Sequence, residues 1–267
     1  RRLAPMKSAW KILIGVLAAL LILLLIAEAG LRIFLSKQIE DGFEAQYAAQ
    51  SPGVVAAKPD VSFGATPLTI GMLGGSLPHM TIQTPSTLMI NDGQITGEPA
   101  ATIAMDKVRL VDQEPIADHL SMQAELPSEL LQAILNQAIS EQLGGNALLD
   151  TLITVSSVTT DPEAGTFTLS FTRGVANVDI RPVPTAEGVQ FETTGTQLFG
   201  FDLPGEITDA ITQSLQEGLA NQEAGAMRLN NVHVTPEGLV LEMTGEKVNF
   251  YELQQMSVTR SHQAQGL

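Results

Sequence analysis

The chain has 267 residues, of which 44% are hydrophobic and 16% charged, and this composition fits one large or two small globular domains. Basic residues number only 14 against 29 acidic ones, and ten basic residues face 28 acidic residues after Glu28, so that part carries a net charge of −18. Such a charge repels anionic membrane surfaces and nucleic acid, and we exclude nucleic acid as a partner. The absence of cysteine excludes disulfides and a thiol nucleophile.

The segment Lys11–Tyr47 is predicted to begin as a single membrane span and to continue, without a break, as an amphipathic helix. Ile12–Ala27 holds sixteen uncharged residues; because a helix needs about 20 residues to cross a bilayer, Ser8–Trp10 extend the run. The four basic residues before the span predict a cytoplasmic N-terminus and an extracytoplasmic remainder. Beyond Glu28, apolar residues recur on one helix face: Leu31, Phe34, Leu35, Ile39, Phe43 and Tyr47.

A cleavable signal peptide is the alternative interpretation of this N-terminus. The basic residues, the apolar run and Ala27-Glu28-Ala29 also match a signal peptide with its cleavage site. We favour a retained anchor, because the helical pattern continues through that site. The chain is accordingly divided into a cytoplasmic tip with anchor (residues 1–29), an extracytoplasmic domain (30–258) and a polar tail (259–267).

The rest of the chain predicts an α+β fold. Alternating apolar and polar residues mark about ten strands with one buried and one solvent-facing side, as in an antiparallel sheet. The alternation slips by one residue near Lys107 and again within Leu152–Thr160, and each slip predicts a β-bulge that bends its strand. A second helix is predicted to open at Leu126–Glu129 and a third to cover Pro204–Ala220.

Signatures of catalytic and metal sites are missing from the sequence. It contains no nucleophile elbow, zinc-protease motif, phosphate loop or dinucleotide fingerprint. The four histidines, His79, His119, His233 and His262, lie far apart and lack metal-ligand spacing. We therefore predict no enzymatic activity, no metal and no cofactor. A hydrolase or transferase with a non-standard site stays open, and a pocket with clustered polar groups would favour it.

Two segments resemble a known family. Lys58–Leu68 (KPDVSFGATPL) and Met227–Gly245 (MRLNNVHVTPEGLVLEMTG) are similar to segments of the LmeA-like phospholipid-binding proteins of actinobacterial envelopes. The chain departs from the family pattern at Ala65-Thr66, where the family usually has Gly-Phe. The resemblance implies a lipid-transfer (TULIP)-like fold, in which a strongly curved antiparallel sheet cradles the long N-terminal helix.

The same resemblance implies phospholipid binding in a periplasm-like space. It also implies support of envelope lipid or lipoglycan (mannan) assembly, with an envelope glycosyltransferase as a candidate protein partner. An assembly factor for such an enzyme that binds no lipid is the alternative function.

The apolar faces of the helices and strands leave two interpretations open. They form either an ordinary core, which the pattern alone favours, or an elongated cavity for acyl chains, which the nine methionines and scarce aromatics favour. We predict one or two acyl chains held between helix and sheet, with the headgroup near solvent. The predicted lipid-binding residues are Phe34, Leu35, Ile39, Phe43, Leu131, Leu135, Phe171 and Phe191.

Overall fold

A computed structural model describes residues 6–50, 58–91, 94–142, 154–171, 174–185, 188–198, 226–250 and 252. The predicted third helix over Pro204–Ala220 and the polar tail lie outside these residues. The fold is α+β, with a long N-terminal helix and a large antiparallel sheet, as predicted.

Three α-helices are described. Helix α1 spans Met6–Gln50 without a break, so the helix runs through Ala27–Ala29 as predicted. Within it, Leu17–Ala45 is long and apolar enough to cross a membrane, and its apolar part is not buried against the protein. Helix α2 covers Leu68–Leu73. Helix α3 covers Ser128–Gln142, at the predicted start of the second helix, and Glu129 in its first turn complements the helix dipole.

The large sheet has six antiparallel strands in the spatial order β1-β2-β5-β6-β12-β11. Its strands are β1 Asp60–Phe63, β2 Ser76–Thr84, β5 Ala101–Val111, β6 Glu114–Pro127, β11 Met227–Thr235 and β12 Gly238–Asn249. A two-stranded ribbon, β3 Met89–Asn91 with β4 Gln94–Thr96, lies between β2 and β5 in sequence.

The small sheet has four antiparallel strands in the order β10-β9-β8-β7. Its strands are β7 Val155–Asp161, β8 Thr166–Phe171, β9 Ala176–Thr185 and β10 Gly188–Leu198. Every second side chain of β8 is buried, which confirms the alternation read from the sequence. The small sheet packs against β11, and α3 packs against β7, so the main core lies between the two sheets.

One predicted β-bulge is confirmed and the other is wrong. The pairing of β7 with β8 shifts register between Val155 and Ser157, as a bulge requires. At Lys107, in contrast, the pairs Leu77–Val108 and His79–Asp106 keep the same register on both sides. Lys107 instead adopts a left-handed backbone with φ 49°.

The phase slip at Lys107 is shared by three neighbouring strands. Met105 and Val108 on β5 both contribute to one apolar cluster, as do Leu120 and Ala117 on β6. On β12, Lys247 is also left-handed, with φ 52°. Because the strands change phase in the same row, their register is preserved and no extra residue is needed.

The position of α1 differs from the predicted cradle. In the described residues, α1 packs mainly against α2 and β1, at one edge of the large sheet. The physical reason is that the polar side chains Glu28 and Arg32 bond to the connection between β1 and α2. The curvature of the sheet and the TULIP-like assignment stay predictions.

Candidate functional site

One side of the large sheet is apolar from edge to edge, and we call it the apolar face. Two rows of paired residues cross all six strands on this side, because the antiparallel register places them opposite each other. Five of the nine methionines belong to the cluster on this face, and their flexible side chains adapt to irregular ligands. The first row is Phe63, Met80, Met105, Leu120, Gly245 and Met227, and the second is Val61, Ile82, Ile103, Met122, Met243 and Leu229.

The small sheet covers the end of the apolar face at β11 and β12. Leu229 and Leu239 join Phe167 and Phe191 of the small sheet in one buried cluster. The rings of Phe167 and Phe191 meet edge to face, with centroids 6.1 Å apart. This end of the face is therefore closed core.

The central part of the apolar face is less covered. Met80, Ile82, Ile103 and Met122 are half-buried, and we call these four residues the open half of the apolar face. They form two cross-strand pairs, Ile82–Ile103 and Ile103–Met122, with Met80 in the next row. Half-buried apolar side chains of the two rows thus lie on β2, β5 and β6, and they continue onto the neighbouring strands at Val61, Phe63 and Met243.

The residues predicted to bind lipid fall into two separate groups. Leu131, Phe171 and Phe191 are buried in the main core, and Leu135 packs against that core. On α1, Leu35, Ile39 and Phe43 are half-buried, whereas Phe34 is 62% exposed. The structure does not bring the two groups together, because α1 packs mainly against β1 and α2 while α3 packs mainly against β7. Their role in lipid binding stays a prediction.

A polar cavity of about 640 Å³ lies beside the β11–β12 pair. Its lining includes His119, Arg228, Thr244 and Glu246, the strand ends Thr185 and Gly188, and two positions of the apolar rows, Leu229 and Gly245. His119, Thr244 and Glu246 are sequence neighbours of positions on the apolar face, so they point to the other side of the sheet. Opposite charges and hydroxyl groups suit a small polar group better than an acyl chain, and through Leu229 and Gly245 the cavity touches the end of the apolar face at β11 and β12.

His79 forms the most catalysis-like arrangement among the described residues. Its Nδ1 lies 2.6 Å from Asp106 Oδ1, and its Nε2 lies 3.2 Å from Thr81 Oγ1. A hydroxyl, a histidine and a carboxylate in this order also occur in nucleophilic active sites. None of the three residues lines the polar cavity. The arrangement is a cross-strand polar cluster on β2 and β5, on the side of the sheet opposite Met80.

The residues that form these features lie mostly within a region that matches a known protein family. Residues 26–244 of the 267 match the LmeA-like phospholipid-binding family. The chain belongs to this family. No curated protein and no solved structure matches the chain. The matched region takes in the small sheet and all of the large sheet up to Thr244 on β12, and the family is described by phospholipid binding.

Glu28 and Arg32 of α1 form hydrogen bonds to the segment Phe63–Thr69, which connects β1 to α2. The Glu28 carboxylate accepts bonds from the backbone amides of Leu68 (2.8 Å) and Thr69 (3.0 Å) and from the Thr69 hydroxyl (3.1 Å). Arg32 donates to that carboxylate at 2.7 Å and to the carbonyls of Phe63 and Gly64, each at 3.0 Å. We call this set of contacts the joint.

The joint could not be recognised from the sequence. Glu28 and Arg32 occupy polar positions at the start of an amphipathic pattern, where solvent exposure is the ordinary expectation. Their partners are mainly backbone groups of Phe63–Thr69, which carry no side-chain signal. The only available signal was a Glu and an Arg four residues apart, directly after the apolar run.

Replacing Glu28 by glutamine is expected to loosen α2. The amide keeps one acceptor oxygen but turns an NH₂ group towards the donors of Leu68 and Thr69, and an unmade bond to a buried group costs about 1–3 kcal/mol. Leu68 is fully buried and the Glu28 side chain is only 14% exposed, so water has little access to replace the lost acceptor. Hydrogen exchange of the Leu68 and Thr69 amides should accelerate about tenfold or more.

The matched control is Glu44→Gln, which changes an exposed carboxylate on the same helix. Exchange at Leu68 and Thr69 should be unchanged in this variant. Equal exchange rates in the wild type and in Glu28→Gln would show that the joint does not hold α2.

Proposed function

We propose that the protein is a membrane-anchored phospholipid-binding protein that acts outside the cytoplasm and holds acyl chains against the open half of the apolar face. One observation carries the proposal. The two apolar rows leave methionine and isoleucine side chains half-buried in the middle of a sheet, in a member of a phospholipid-binding family. The proposal moves the predicted lipid contacts from α1, α3 and the small sheet to β2, β5 and β6.

Contacts with acyl chains supply enough free energy for this mode of binding. Each methylene removed from water contributes about 0.8 kcal/mol, so ten methylenes contribute roughly 8 kcal/mol before the cost of ordering the lipid. The domain carries ten basic residues against 28 acidic ones after Glu28, which disfavours capture of an anionic headgroup by a basic cluster. Binding therefore depends on the tails, and the headgroup stays near solvent.

The anchor in this proposal is α1. Its exposed apolar run supports membrane insertion, and the basic residues before the run support an extracytoplasmic domain. A cleaved signal sequence would give the same location without the anchor. A role in envelope lipid or lipoglycan assembly, beside an envelope glycosyltransferase, is supported by the family resemblance alone.

Native mass spectrometry of the full-length protein tests the proposal. Protein released from mild detergent is expected to carry discrete additional masses that match phospholipids, to lose them on delipidation, and to regain them from added phospholipid. N-terminal sequencing of the same sample tests the anchor, because signal cleavage would give a chain that begins near Gly30. A protein that carries no phospholipid and regains none would contradict lipid binding.

A further inference from the structure

Exposed apolar side chains gather at one end of the large sheet. In the described part of the chain, nine large apolar side chains outside the run Leu17–Ile26 are exposed. Two of them, Ile33 and Phe34, follow the joint on α1, and five others lie on α2 and at the β5–β6 hairpin. We call these five residues the end patch: Ile70, Met72, Leu73, Leu110 and Val111.

The end patch is held in place by the fold. Arg109 on β5 pairs with Ser76 on β2, three residues after α2 ends, so the hairpin tip and α2 share one end of the sheet. The buried Leu68 and the joint fix the start of α2. Gly71 lies so close to Pro78 of β2 that a side chain there would overlap the proline ring. Leu73 is nevertheless 88% exposed and Leu110 74% exposed.

The joint determines the position of the end patch along the axis of α1. Twenty helical residues span about 30 Å, the thickness of the hydrocarbon core, so a span over Ser8–Ala27 ends directly before Glu28. With that span, α2 begins where the hydrocarbon ends, because Glu28 accepts hydrogen bonds from the first two amides of α2. Ile33 and Phe34 continue the exposed apolar surface of α1 next to this point.

The chain around α2 lacks the charges that dominate the rest of the domain. Residues 61–91 contain no Asp, Glu, Lys or Arg, although acidic residues are frequent elsewhere after Glu28. Moving this segment into the interfacial layer of a membrane therefore requires no desolvation of an ionised side chain. The β5–β6 hairpin differs, because Arg109, Asp112 and Glu114 flank Leu110 and Val111, and these charged groups stay at the level of the lipid headgroups.

We propose that the end patch inserts into the interfacial layer of the same bilayer that α1 crosses, on the side of the domain. The inference rests on the proposed anchoring by α1. A bilayer, and not a protein, is the occupant because the patch continues the exposed apolar surface of the span. In this arrangement Phe63, the first residue of the first apolar row, lies beside the joint, and the apolar face begins at the membrane.

Site-specific fluorescence tests the insertion in the full-length chain. The protein lacks cysteine, so Leu73→Cys and Leu110→Cys each provide a single position for an environment-sensitive nitrobenzoxadiazole label. Each variant is reconstituted into phosphatidylcholine vesicles with or without doxyl-labelled phosphatidylcholine. Labels at both positions are expected to show blue-shifted emission and strong quenching by the doxyl lipid.

The matched control is Ile134→Cys, an exposed apolar position on α3. Helix α3 follows Pro127, at the opposite end of β6 from the hairpin, so its label should show the spectrum of a water-exposed dye. Adding Leu73→Asp to the Leu110→Cys protein should reduce quenching at position 110, because a charge opposes insertion of the patch.

Flotation of the same vesicles after an alkaline wash separates failure of the anchor from failure of the inference. Protein that does not float lacks the proposed anchor and removes the basis of the inference. Protein that floats but shows unquenched labels at 73 and 110 overturns insertion of the end patch alone. Equal quenching at 73, 110 and 134 also overturns it, because the domain would then contact lipid without a preferred end.

Discussion

Replacing Phe167 by alanine is expected to lower the free energy of unfolding by about 3–5 kcal/mol. Phe167 is 1% exposed and is among the largest fully buried side chains in the described residues. Truncation removes its edge-to-face contact with Phe191 and leaves a cavity between the small sheet and β11. Chemical denaturation of the solubilised full-length protein, followed by circular dichroism of its β-structure, measures the loss.

The control for this experiment is Phe34→Ala. Phe34 is 62% exposed, and truncation of an exposed side chain usually changes stability by no more than about 0.5 kcal/mol. Similar denaturation midpoints for the Phe167→Ala and wild-type proteins would mean that the space between the two sheets is not a packed core.

The double substitution Met80→Gln with Met122→Gln is expected to reduce phospholipid affinity by roughly thirtyfold or more. Glutamine resembles methionine in length and flexibility, so the change replaces a thioether by an amide with little change of shape. An amide without a partner in an apolar contact costs about 1–3 kcal/mol, and two such costs exceed one factor of ten in affinity. Titration with phospholipid, followed by native mass spectrometry, measures the change.

Thr102→Gln is the matched control for the methionine pair. Thr102 precedes Ile103 on β5 and lies on the opposite side of the sheet, where it pairs with Gln83 and Gln123. Lipid affinity should be unchanged in this variant. Unchanged lipid affinity of the methionine double variant would contradict the prediction. If that variant also lost stability in the delipidated state, the open half would be ordinary core.

The sequence predicted the secondary structure well where a pattern is local. Alternation along β8 and the apolar periodicity of α3 each arise within one element, so a single segment contains the whole signal. The slip at Lys107 was also visible, but one strand cannot distinguish an inserted residue from a phase change that its neighbours share. The difference depends on Ala117 and Val248, which lie on other strands.

The candidate site was less predictable, because it depends on which surfaces meet. Helical spacing identified Phe34 and Leu135 as apolar positions, yet it does not reveal that α1 and α3 contact different strands. The apolar rows likewise cannot be recognised from the sequence alone. Met80, Met105 and Leu120 become neighbours only when the register of β2, β5 and β6 is known.

Two attachments on α1 determine how far the domain can travel from the membrane. Besides the joint, Lys58 Nζ lies 3.6 Å from Glu40 Oε2, about 18 Å further along the helix by its rise per residue. This exposed ion pair adds little free energy by itself, but together with the joint and the packing of α1 against α2 and β1 it attaches the domain along the helix, without a flexible linker. If α1 crosses a bilayer, the orientation of the domain relative to the membrane is coupled to that of α1, and the range of positions from which it contacts a partner is restricted. It meets other molecules at one height, by lateral diffusion and by rotation of the whole protein about the membrane normal.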